Sequence, residues 1–140
     1  MVSRSRPDGA PDPVRQKLVE VRRGLLRLHK ALIDSERAAF ERDRGPMTSG
    51  QLLQALLDDS GFAWLRPYSG LIVEIYEALA SKDPPLPSRD AEAYIERVRA
   101  LVVTGAEEDG PTATAYERAV SRDPAVLLAH VELTTRLQSS

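Results

Sequence analysis

The sequence predicts an all-α protein, an up-and-down four-helix bundle whose second helix is broken or kinked near residues 58–67. Three observations predict it. Apolar residues recur at alternating steps of four and three, capping residues and Pro/Gly stops bracket those runs, and no stretch alternates apolar with polar residues as a half-buried strand does. At 140 residues, a single core is expected.

Residues 1–11 read as a disordered tail, because Pro7, Gly9 and Pro11 interrupt any periodicity, and the bundle domain spans 12–140. Asp12 is a good N-cap and Pro13 suits the first helical position. From there Val14, Leu18, Val21, Leu25, Leu28 and Leu32 form one stripe, running on through Phe40 to a stop at Gly45-Pro46. Thr48 with Gln51 reads as a capping box, opening a helix with Leu52, Leu53, Leu56 and Leu57 on its buried side. Asp58 to Gly61 and Pro67 mark the break. Beyond it Trp64, Leu65, Tyr68, Leu71, Ile72, Ile75, Tyr76 and Leu79 share a face. After the stiff connector Lys82 to Pro87, Ser88 is expected to cap a third unit carrying Ala91, Tyr94, Ile95, Val98, Leu101 and Val102. Thr104 to Pro111 reads as a turn with an acidic tip at 107–109. The last unit runs from about Thr112 to Leu137, interrupted at Asp123-Pro124.

Composition removes several function classes. There is no cysteine, so disulfides, thiolate metal sites and cysteine nucleophiles are excluded together. A formal net charge of −2 gives no general attraction to nucleic acid or anionic membranes, and no apolar run is long enough to span a bilayer. No apolar leader precedes the fold, so a cytoplasmic protein is expected. GxGxxG, Walker A, HExxH, GxSxG and SxxK patterns are all missing, and no catalytic residue or cofactor is assigned. Residues 1–30 hold eight Lys or Arg against three acids. No aromatic side chains interleave them for base stacking, so Arg15, Arg22, Arg23, Lys30 and Arg37 read as a solvated face paired with acidic neighbours.

Polar residues on apolar faces are the informative ones, because burying them unpaired is costly. On a wheel at about 100° per residue, Glu36 falls inside the first helix's stripe and His29 at its edge, while His130 lies among Val126, Leu127, Leu133, Thr134 and Leu137. One reading makes all three structural, bonded to tyrosine hydroxyls, Arg66 or carbonyls. A second gathers His29, Glu36 and His130 into an internal ligand or metal site with enzymatic capacity, although the Glu-x-x-His tetrapeptide of di-iron bundles is absent. The central helix carries another signal. With Trp64 and Tyr68 facing the core, Phe62, Arg66, Ser69, Gly70, Val73 and Glu77 fall on the opposite side, a mixed face where small residues admit close approach by another backbone.

Three stretches carry a resemblance: Leu28-His29-Lys30-Ala31-Leu32-Ile33-Asp34-Ser35-Glu36-Arg37, Phe62-Ala63-Trp64-Leu65-Arg66-Pro67 with Leu71-Ile72, and Arg122-Asp123-Pro124 running to Ala129-His130. Over roughly residues 14–137 the chain resembles an uncharacterised family of small bacterial helical proteins. That resemblance implies a complete single-domain helical protein and transfers no activity. The expectation is therefore a non-catalytic interaction module, contacting a protein partner or a second copy through Phe62, Arg66, Ser69, Gly70 and Val73.

Overall fold

A computed structural model describes residues 12–104 and 111–138. The tail at 1–11 and the acidic tip at 107–109 lie outside the described residues. Within them the fold is all-helical with no β-strand, and no helix is long and apolar enough to cross a membrane. Six α-helices occur: α1 (Pro13–Arg44), α2 (Ser49–Asp58), α3 (Arg66–Ala80), α4 (Ser88–Arg99), α5 (Pro111–Arg122) and α6 (Pro124–Gln138). The second and last expected units are thus each divided in two.

α1 organises the rest, touching α3, α4, α5 and α6. The Asp12 carboxylate accepts from the Val14 and Arg15 amides at 2.8 and 3.3 Å, satisfying donors that the first turn leaves over. The helix stops where Gly45 adopts φ +88°, a left-handed conformation that side chains with a Cβ rarely take. Between these ends Leu18, Val21, Leu25, Leu28 and Leu32 are fully buried. Gly24 lets α6 approach closely, since a Cβ there would stand 3.1 Å from Leu133 Cδ1.

The expected break is a 3-10 helix, Ser60–Leu65. Thr48 and Gln51 form the capping box of α2, and Pro67 occupies the first turn of α3, where its missing N–H costs nothing. Ser88 departs from expectation. The residue before α4 is Pro87, with no side-chain cap, and the Ser88 hydroxyl instead donates to the Asp12 carboxylate, tying the start of α4 to the start of α1. That bond holds the Asp12 carboxyl below its ordinary pKa. α4 ends in a π turn, Ala100–Thr104, around the fully buried Val102. At the last joint Asp123 Oδ1 accepts from the Ala125 amide at 3.0 Å and Pro124 begins α6.

Candidate functional site

α3 places two unlike faces back to back. Tyr68, Leu71, Ile72 and Ile75 are buried, so the 3.6-residue period turns Arg66, Gly70, Val73 and Glu77 to solvent along one line. Val73 is 54% exposed. Nothing lies within 4 Å of where a Gly70 Cβ would stand. Ser69 lies on the flank towards α1, its hydroxyl donating to the Arg66 carbonyl at 3.2 Å. Arg66 donates to the Leu57 carbonyl and so caps the end of α2 with a cation. Neither Arg66 nor Glu77 forms an ion pair among the described residues. Glu74, on the opposite flank, meets Arg97 of α4 through two 3.0 Å bonds, and this cation keeps its carboxyl below the usual range.

Phe62 does not belong to this outer face. It is 2% exposed and packs on Phe40 of α1, ring centres 5.9 Å apart. The cause is local: a 3-10 helix turns about 120° per residue, so extending the α-helical wheel back through residues 60–65 displaces Phe62 from Arg66. Tyr76 departs the other way. It is 61% exposed, at the edge of its stripe, beneath the Arg22 guanidinium 5.4 Å from the ring centre. Leu57, at 62%, is also exposed beside Arg66, and Leu53 is open too. The short α2 rests mainly on the 3-10 helix and buries none of its residues fully, so its apolar side is wider than its seat. Leu127 is half exposed on α6 rather than inside.

The three inward polar residues are not gathered together. His29 is half-buried in the wall of a pocket of about 270 Å³ beside Ile33, Leu56, Phe62, Leu65 and Ser69, without a hydrogen-bond partner among the described residues. Glu36 accepts from Arg122 Nη2 at 2.9 Å, and the same guanidinium donates to the buried Ser35 hydroxyl at 2.8 and 3.1 Å. His130 meets the Tyr116 hydroxyl at 2.5 Å. Burial lowers the pKa of both histidines and raises that of Tyr116, so the neutral forms of the ring and the phenol are favoured where they meet. Tyr116 also stacks on Tyr68, centres 5.9 Å apart. Glu36 and His130, each expected to face inward, thus meet different partners, Arg122 and Tyr116. No group of three or more His, Asp or Glu side chains is placed to hold a metal among the described residues.

The basic face of α1 is answered locally. Arg23 pairs with Glu20, Lys30 with Asp34 and Arg37 with Glu41, while Arg15 reaches the Leu86 carbonyl and Arg22 covers Tyr76. A cleft of about 600 Å³ lies at the other end, but its Arg99 and Arg136 are engaged by Glu96 and Glu20. No protein-family model, curated protein or solved structure matches the chain.

Proposed function

We propose that the chain is a non-catalytic interaction module of the bacterial cytoplasm, a bundle of four helical units that works by protein contact through the outer face of α3. The observation that carries this reading is the exposed apolar set Val73, Tyr76 and Leu57, set among an arginine and a glutamate with no ion partner of their own. Large apolar side chains are costly to leave in water, and charges among them favour one docking geometry over others. Arg66, Ser69, Gly70 and Val73 remain in the proposed contact, and Leu57 and Tyr76 join it.

Site-specific photo-crosslinking in the producing cell tests the proposal. A photoreactive residue replacing Val73 is expected to give a discrete adduct of higher mass, while one replacing the exposed Glu117 of α5 gives none. Equal absence of adducts at both positions would remove the reading.

A further inference from the structure

We infer that the occupant of this face is a second copy of the chain, joined α3 to α3 in antiparallel register about a two-fold axis. The inference rests on the reading of α3 as a docking surface and specifies its partner. Arg66, Gly70, Val73 and Glu77 are spaced by four, three and four residues, the step pattern that lets two helices lie along each other. An antiparallel pair with its axis midway along this line sets Arg66 against the partner's Glu77, and Glu77 against the partner's Arg66. The same register sets Val73 against the partner's Gly70. Both ion pairs use charges that the single chain leaves without an ionic partner among the described residues.

Gly70 makes the approach feasible. An exposed glycine inside a helix costs roughly 1 kcal/mol relative to alanine, and here the open space over it receives the partner's valine. Parallel pairing is disfavoured because it opposes Arg66 to Arg66 and Glu77 to Glu77. The two-fold operation keeps the α1-side flanks of both copies on the same side, so the partner's Tyr76 comes beside Leu57, and two exposed apolar groups cover each other. The bond from Arg66 to the Leu57 carbonyl already restrains its side chain, reducing the ordering that association requires.

Charge reversal tests the register. By sedimentation velocity over a concentration series, the wild-type chain is expected to dimerise, and Arg66→Glu and Glu77→Arg are each expected to self-associate at least about tenfold more weakly. Mixed together, the two variants are expected to form a heterodimer, because each contact then again opposes glutamate to arginine. Wild-type-like helical circular dichroism spectra with cooperative melts establish that both variants fold. A wild type that stays monomeric throughout, or well-folded variants that fail to pair on mixing, would overturn the inference. The crosslink at position 73 separates the two levels: an adduct only with a different protein overturns the second copy and leaves the docking face standing, whereas no adduct removes both.

Discussion

Arg122 and Arg66 meet opposite circumstances in the same all-helical fold. Arg122 reaches from the end of α5 into α1, where Glu36 and Ser35 supply a carboxylate and a hydroxyl, and its side chain is only 25% exposed. Arg66 lies on the outside of α3 with one carbonyl and no carboxylate. The difference teaches where this chain answers its polar residues. Ser35, Glu36 and His130 are answered from neighbouring helices, while the half-buried His29 and the buried Trp64 indole N–H have no hydrogen-bond partner among the described residues, and the outer line of α3 keeps its charges and its apolar surface open. Removing a core partner should cost stability, and altering the outer line should cost association.

The largest effect is expected at Tyr116, which is 2% exposed, stacks on Tyr68 and bonds His130. Tyr116→Ala should lower unfolding free energy by about 3–5 kcal/mol in urea titrations, since it empties a core site and strands a half-buried imidazole. A loss below about 1 kcal/mol would show that α5 contributes little to the core. Next comes Glu36→Ala, expected to cost about 1–3 kcal/mol because the pair with Arg122 is partly, not wholly, screened from water. Glu36→Ala combined with Arg122→Met should recover part of that loss. Additive losses in the double variant would mean that the two residues act independently and that the contrast with Arg66 fails.

The smallest effect concerns pH. Both histidines are held neutral by burial, with folded pKa values below those of an exposed ring. The unfolded chain therefore binds more protons as pH falls, so the contribution is fully present above the ordinary histidine pKa of about 6.5 and is lost as pH descends through the folded values. Thermal midpoints should decline between about pH 7.5 and 5.5, and the slope should shrink in His29→Leu. An unchanged slope would place His29 in water and loosen the boundary between core and outer face.

Much of this was legible in one dimension. Asp12, Pro13, Thr48, Gln51, Gly45 and Pro124 act through their own backbone neighbourhood, so their roles follow from spacing alone. Arg66, Gly70 and Val73 were legible for the same reason, because a regular helix fixes which residues share a line. Phe62 was not, since a six-residue 3-10 helix changes the angular step. Leu53, Leu57 and Tyr76 were not, because hydrophobicity states what a side chain prefers and not whether a neighbour is wide enough to cover it.

By itself, then, the order of residues settled the helical class, the break between α2 and α3 and the outward line on α3, all consequences of local periodicity and capping. Tertiary structure alone decided that Arg122 answers Glu36, that Tyr116 answers His130, and that His29, Glu36 and His130 do not form one metal-holding group. Those pairings join residues up to 86 positions apart, and which helices meet depends on how every apolar stripe is buried at once.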